Sequence, residues 1–358
     1  MKILFDYSIF AYQTLGGISR YYINLDKEIK KQYSCNILAP AHYNKFLKEY
    51  SSYKGTYFKK FPRFTNKLFN LYNKISTEQF IKFNEPEIYH KTYYTNFWPK
   101  NFKGKKFLTV YDLIHEKFYK DYNFSSDYRP KKKALENSDA ILAISYKTKK
   151  DLVEIYGISE KKIFVTHLGV NLEFSKSKTN IIKDPYILYV GDRKRYKNFQ
   201  NLLKAFAISK KINTNFKLVV FGGGKFLDDE KKLINENDLK KNKIIKIDGD
   251  DIVLNTLYKS ANLFVFPSKY EGFGLPLLEA ASNNCPIACS RIEVFNEIMG
   301  QHAKYFDPYS VEEMIISLEE VLFSETVSKN LASKAKLTSS NFSWSKCANE
   351  TLKIYKDI

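Results

Sequence analysis

The sequence predicts an α/β protein built as two Rossmann-like halves facing each other across a cleft. Short apolar runs alternate with helix-period segments from end to end, the pattern of parallel sheets joined by helical crossovers. At 358 residues the chain is too long for one ordinary core and suits two. The polar stretch from Ser175 to Asn180 is the expected junction, which places one half at 1–172 and the other at 183–342. Two such halves set face to face bring the carboxyl ends of both sheets beside one crevice, where open α/β sheets bind ligands.

In the first half, strands are expected at 2–6, 36–39, 88–90, 107–110, 140–144 and 163–165. Helices are expected at 18–31, within 64–83, and at 128–137 and 147–156. The second half restarts with strands at 186–190, 217–221, 244–247, 263–266 and 286–289. Helices near 199–211, 253–260, 275–284 and 311–323 separate or follow them, and a last helix covers about 343–356. Leu263-Phe264-Val265-Phe266 is typical of a strand buried on both faces.

Composition excludes several classes. A hydrophobic fraction of 44% with 27% charged residues is globular. No stretch approaches the roughly 18–20 apolar residues of a membrane span. Asp6 interrupts any signal-peptide core, and Cys35, Cys285, Cys289 and Cys347 have neither zinc nor C-x-x-C spacing. Buried reduced thiols and a cytoplasmic location are therefore expected. Residues 1–172 carry 30 Lys+Arg against 16 Asp+Glu, whereas the remainder carries 28 against 23. A basic first half suits an anionic surface. Between Tyr57 and Phe69, Lys59, Lys60, Arg63 and Lys67 interleave with aromatic rings, a pattern that fits docking at the inner face of an anionic membrane. A loop and half-buried helix with compositional bias is the alternative. No nucleic-acid module is visible.

The most informative string is Pro267-Ser268-Lys269-Tyr270-Glu271-Gly272-Phe273-Gly274-Leu275-Pro276-Leu277-Leu278-Glu279. It follows a strand and enters a helix in which Pro276 suits the first turn. Gly272 and Gly274 allow close backbone approach to a ligand, and the free amides of the helix start favour a phosphate. Glu279, about one turn in, is placed to accept hydrogen bonds from a vicinal diol such as a ribose.

This string resembles the E-x7-E signature of the family 4 retaining glycosyltransferases, which have the GT-B fold. The resemblance implies that Glu271 lies by the donor sugar and Glu279 on the nucleotide ribose, with Gly272, Phe273, Gly274 and Leu275 lining the donor. A second segment, Gly191-Asp192-Arg193-Lys194-Arg195-Tyr196-Lys197-Asn198, is similar to that family's G-x-R…K-N stretch. The likeness implies that Arg193 and Lys197 hold the diphosphate, where preplaced cations stabilise the departing charge. Asn198 is expected to cap the helix that follows. Gly16 and Gly17 open a helix after the first strand and are comparable to the family's double-glycine loop. Phe221-Gly222-Gly223-Gly224 lacks G-x-G-x-x-G spacing and suits the base pocket. Many relatives carry histidine where this chain has Tyr111, so His90, Asp112 and His115 stand as candidates for contacting sugar or acceptor, while His167 and His302 read as structural. No cluster has metal-ligand spacing.

The resemblance implies a donor-binding second half, and an acceptor-binding first half onto which the last helix, 343–358, packs back. The implied reaction is metal-independent transfer of a hexose, with retention, from a nucleotide diphosphate sugar to a saccharide or lipid-linked saccharide. The donor's phosphate oxygen takes the acceptor proton. GDP-mannose or a GDP-deoxyhexose is the first expectation, by similarity to O-antigen and capsule transferases of the bacterial cell surface. Three alternatives stay open: an epimerase on the same fold, a hydrolase using the two glutamates, and a non-catalytic sugar-nucleotide-binding or membrane-docking subunit.

Overall fold

A computed structural model describes residues 1–50, 55–122, 129–171, 181–193, 195–236, 239 and 242–358. The expected junction 175–180, Lys194 and the start of the helix expected from Tyr128 lie outside the described residues. The chain forms two units, Met1–Gly169 with Trp344–Ile358, and Val170–Ser343.

The first unit holds β1 (Lys2–Phe5), β2 (Ser34–Ile37), β3 (Ala41–His42), β4 (Thr56–Tyr57), β5 (Ile88–Lys91), β6 (Lys105–Val110), β7 (Ala140–Ala143) and β8 (Ile163–Val165). Six form one all-parallel sheet in the order β2-β1-β5-β6-β7-β8, while β3 and β4 make a separate short ladder. The order reverses between β1 and β5, which makes that pair the switch point of a flavodoxin-like sheet. Every residue of β5 and β7 is buried; β7 reads as a continuous apolar run, whereas β5 also buries His90 and Lys91. Leu108, Val110, Ile141, Ala143, Leu152 and Ile163 form the packed layer on one side.

The carboxyl-terminal helix, Trp344–Asp357, belongs to this unit and lies against the helix Gly17–Ile29. The helix Asn66–Asn84 is fixed differently. The Asn73 carboxamide accepts from Ala41 N (2.9 Å) and donates to Ala41 O (2.9 Å), which sets the rotation of the helix against β3.

The second unit holds β9 (Tyr186–Val190), β10 (Lys217–Phe221), β11 (Ile244–Ile247), β12 (Leu263–Phe266), β13 (Ile287–Ser290) and β14 (Lys304–Phe306). All pair in parallel in the order β11-β10-β9-β12-β13-β14, the nucleotide-binding order with its reversal between β9 and β12. Ile187, Tyr189, Phe199, Leu203, Val220, Val265 and Leu318 are among the residues of its core. Both units are thus Rossmann-like α/β layers. The four cysteines are free and buried, and burial pushes the Cys347 thiol up to about 12. Among the described residues no helix is long and apolar enough to cross a membrane.

Candidate functional site

The two strands flanking the reversal in the second sheet each end in a loop that carries one half of an ion pair. Lys197, in the short 3-10 turn Arg195–Lys197 after β9, places its Nζ 2.7 Å from Oε1 of Glu271, in the loop after β12. The side chains are only 20% and 12% exposed. A partly solvated pair of this kind adds about 1 kcal/mol or less to stability, so stability alone does not explain its placement. The two loops are also stitched through their backbones. Lys269 N donates to Tyr196 O (2.8 Å), and the Asn198 amide donates to Pro267 O (3.0 Å) and Pro308 O (2.7 Å). This corrects the expectation that Asn198 caps the next helix. Its backbone is left-handed at φ 59°, its side chain makes no cap bond, and its amide ties three segments together instead.

Arg193 also departs from expectation. It does not project from the sheet edge as a spare cation, because its side chain is 1% exposed and its donors are spoken for. Nε reaches both oxygens of Glu230 (3.1 and 3.2 Å), Nη1 reaches Gly222 O (2.9 Å), and Nη2 reaches Gly224 O (3.2 Å) and Lys225 O (2.7 Å). The guanidinium also lies 4.8 Å from the Phe226 ring centroid. Gly222, Gly223 and Gly224 run through φ 84°, 71° and 69°, conformations that L side chains rarely adopt. A Cβ on Gly223 would come within 2.6 Å of Arg193 Nη1. Arg193 therefore shapes the loop after β10. Glu230, the carboxylate that holds it, was missed because it lies on another helix, Asp228–Glu236.

Glu271 and Glu279 bracket the start of the helix Leu275–Ser282, which has proline in its first turn and Gly274 as its N-cap at φ 143°. A side chain at Gly274 would press on Leu277 at 3.2 Å and on Phe295 at 3.4 Å. Gly272 and Phe273 are buried, and the Phe273 ring meets Phe342 at 6.1 Å. Glu279 is half-buried, and its Oε2 accepts from Tyr258 OH at 3.2 Å, a partner the sequence did not reveal. Burial and then the Glu279 charge hold the Tyr258 hydroxyl well above its usual range, which keeps it a donor. Gly191, at the end of β9, lies beside the Gly222 backbone. Glu271, Lys197, Gly191, Gly222 and the Gly272–Leu275 corner thus share the carboxyl end of one sheet.

In the first unit, Gly16 and Gly17 open the helix Gly17–Ile29, and the Gln13 carboxamide accepts from Ser19 N (3.2 Å) at that helix start. His115 is exposed on the helix Ile114–Tyr122 beyond β6, and Asp112 accepts from Ile114 N (3.1 Å) at its start. His90 is corrected from a substrate-contacting candidate to a core residue. It is fully buried, its Nε2 pairs with Thr109 Oγ1 (2.8 Å), and its Nδ1 pairs with the Tyr355 hydroxyl of the last helix. Burial pushes its imidazole down to about 3, and burial also pushes His42 down to about 4.

This makes the first unit acid-sensitive. Above pH 6.5 the histidine is neutral both folded and unfolded, so it has no effect on stability. As pH falls from about 6.5 towards about 3, the unfolded chain takes up a proton that the fold excludes. By pH 5 the loss at His90 is about 2 kcal/mol. Melting curves of wild type and His90→Gln should therefore converge in acid relative to their separation at pH 7. A separation that does not change with pH would contradict this. Among the described residues no group of three or more His, Cys, Asp or Glu side chains is arranged to hold a metal.

Two family descriptions match the chain, Glycosyltransferase Family 4 over residues 15–174 and Glycosyl transferases group 1 over residues 171–338. The chain belongs to glycosyltransferase family 4. Its relatives include the O-antigen chain mannosyltransferase B of Escherichia coli, 25% identical over 235 residues, 62% of each chain. The serotype-specific mannosyltransferase WbdA of Escherichia coli is 28% identical over 270 residues, which are 70% of this chain and 33% of WbdA. The family 4 chain therefore aligns with less than two thirds of the length of either relative. In fold it matches Anabaena Alr3699/HepE, solved with UDP and glucose, at TM-score 0.78 over 100% of both chains and 14% identity. This GT-B likeness extends over both units.

Proposed function

We propose that this chain is a retaining hexosyltransferase that takes its sugar from a nucleotide diphosphate donor. The observation that carries the reading is the 2.7 Å pairing of Lys197 with Glu271 beside a glycine corner and an open helix start. At the switch point of a nucleotide-binding sheet, that combination offers a cation for a diphosphate, backbone amides for its oxygens and a carboxylate for sugar hydroxyls.

In the reaction the bond from the sugar's anomeric carbon to the diphosphate breaks while the acceptor hydroxyl bonds on the same face. The acceptor proton goes to the departing phosphate oxygen, so no side-chain base is required. Lys197 and the amides before Leu277 take up the growing charge, Glu271 orients the sugar, and Glu279 with Tyr258 receives the ribose. Arg193 acts through the Gly222–Lys225 loop that it shapes. With a lysine and amides in that place the transfer needs no metal, and a chelator is expected to leave the rate unchanged. His115 and Gly17 are exposed in the first unit, and in this reading they serve the acceptor.

The mannosyltransferase names of the relatives favour a GDP-mannose-like donor and an acceptor of the cell-surface polysaccharide kind, a saccharide or lipid-linked saccharide. The matching enzyme would work peripherally at the cytoplasmic face of the membrane. A thermal-shift panel of GDP, UDP, ADP and their sugars tests the donor. One nucleotide series should raise the melting temperature while the others do not, since ligand at a hundredfold over Kd adds about 2.7 kcal/mol. A flat response to the whole panel would remove the proposal. Release of the unchanged sugar's epimer without an acceptor would instead mark an epimerase.

A further inference from the structure

The helix Asn66–Asn84 faces the wrong way for an ordinary surface helix. Its buried residues are Asn73, Thr77 and Ile81, two of them polar, with Phe69 and Phe80 half-buried beside them. Leu68, Leu71, Tyr72 and Ile75 recur at the spacing of a single helical stripe, yet they are 63%, 53%, 53% and 50% exposed. A free choice of rotation would bury that stripe. The two hydrogen bonds between Asn73 and Ala41, one accepted and one donated by the carboxamide, hold the stripe outward.

The turn before the helix strengthens the case. Phe64 is 99% exposed and sits at φ 65°, a left-handed backbone that is a genuine outlier for a bulky side chain. Its neighbours in sequence behave otherwise. Phe58, Phe61 and Phe69 turn inward and pack together, with Phe61 and Phe69 stacked at 4.5 Å. The rings between Tyr57 and Phe69 therefore do not form the anchor as a set. Among these rings Phe64 alone stands out into solvent, four residues before Leu68, where the exposed stripe begins.

The charge around this stripe has one sign. From residue 57 to residue 84 the chain carries Lys59, Lys60, Arg63, Lys67, Lys74 and Lys82 against one acid, Glu78. Glu78 is engaged, accepting from Lys100 N at 3.0 Å. Lys59, Lys60, Arg63 and Lys67 are exposed, and no ion pair holds them among the described residues. A second copy of the chain fits poorly here, because an isologous contact would set these cations against their own images.

We infer that Phe64 and the Leu68–Leu71–Tyr72–Ile75 stripe insert into the interfacial layer of an anionic bilayer, with the flanking lysines and Arg63 on its headgroups. The helix would lie in the plane of the surface, as amphipathic interfacial helices do. The inference deepens the reading of a peripheral enzyme with a lipid-linked acceptor, and rests on it for its biological sense. The surface itself is defined without the sugar nucleotide.

The test is flotation of the full chain with vesicles of phosphatidylcholine, alone or mixed with phosphatidylglycerol. Wild type should float with the anionic vesicles, stay behind with the neutral ones, and detach as salt is raised. Phe64→Ser, Leu68→Ser, Leu71→Ser and Ile75→Ser combined should lower the anionic partition by at least about tenfold with unchanged melting, since all four side chains are exposed. Lys59→Ala, Lys60→Ala and Lys67→Ala combined should do the same through the charge term. Three outcomes would overturn the inference. These are wild type that ignores anionic vesicles, a serine variant that floats like wild type, or a vesicle-free dimer that the serine variant dissolves. Vesicle binding without any nucleotide response would count against the transferase alone, and the converse against this surface alone.

Discussion

Glu271→Ala lowers sugar transfer by about 10²–10³-fold, the size expected when one preorganised polar contact to the reacting centre is lost. Its melting temperature should scarcely move, because the Lys197–Glu271 pair is partly solvated and contributes about 1 kcal/mol or less. Lys197→Ala should show a comparable loss, and the double variant much less than the product of the two, since the residues act as a unit. Single-turnover rates and melts of the three variants check this. Near-normal turnover in Glu271→Ala, or a large melting change accompanying the lost rate, would count against a role at the donor. The separation of activity from stability is the informative part. A residue kept only for the fold would move both together.

Glu230→Ala should have the opposite profile. It leaves the Arg193 guanidinium buried without its carboxylate, a change that costs about 3–5 kcal/mol. In a unit of this size each kcal/mol shifts melting by about 2–4 °C, so a fall of around 10 °C is expected. Pairing Arg193→Met with Glu230→Leu removes both charges and should recover much of that stability. It should not recover the donor KM, because no guanidinium then grips the carbonyls of Gly222, Gly224 and Lys225. Denaturation curves read beside donor KM distinguish the two roles. A double variant with wild-type KM would show that Arg193 stabilises the fold without shaping the loop.

The sheets were legible because a strand buried on both faces leaves a short, continuous apolar run, as Leu263–Phe266 does. The strand Lys304–Phe306 and the helices Asp228–Glu236, Glu293–Met299 and Glu325–Ser339 escaped, the first because three residues carry no period. Glu271 and Lys197 were each readable because each belongs to a distinctive local string, whereas their 2.7 Å pairing was not. What local spacing does not contain is the identity of remote partners. Asn198 looked like a helix cap, and the carbonyls that claim its amide lie 69 and 110 residues away. Arg193 looked like a free cation until Glu230, 37 residues on, was seen to hold it. His90 sits in a strand buried on both faces, where alternation gives no clue to which layer a side chain enters. The helix Asn66–Asn84 misled for a related reason: apolar periodicity says which residues share a stripe, and an asparagine decides where that stripe points.

The last helix has a bearing on how the molecule is made. Tyr355, near the very end of the chain, closes the core of the unit that begins at Met1, whereas Val170–Ser343 is one uninterrupted stretch. During synthesis the earlier-made layer must therefore wait, its tyrosine-lined flank uncovered, until Trp344–Ile358 leaves the ribosome, by which point Val170–Ser343 has already emerged. The order of translation and the order of completion are reversed, and a truncation that removes Trp344–Ile358 strands the amino-terminal unit and spares Val170–Ser343.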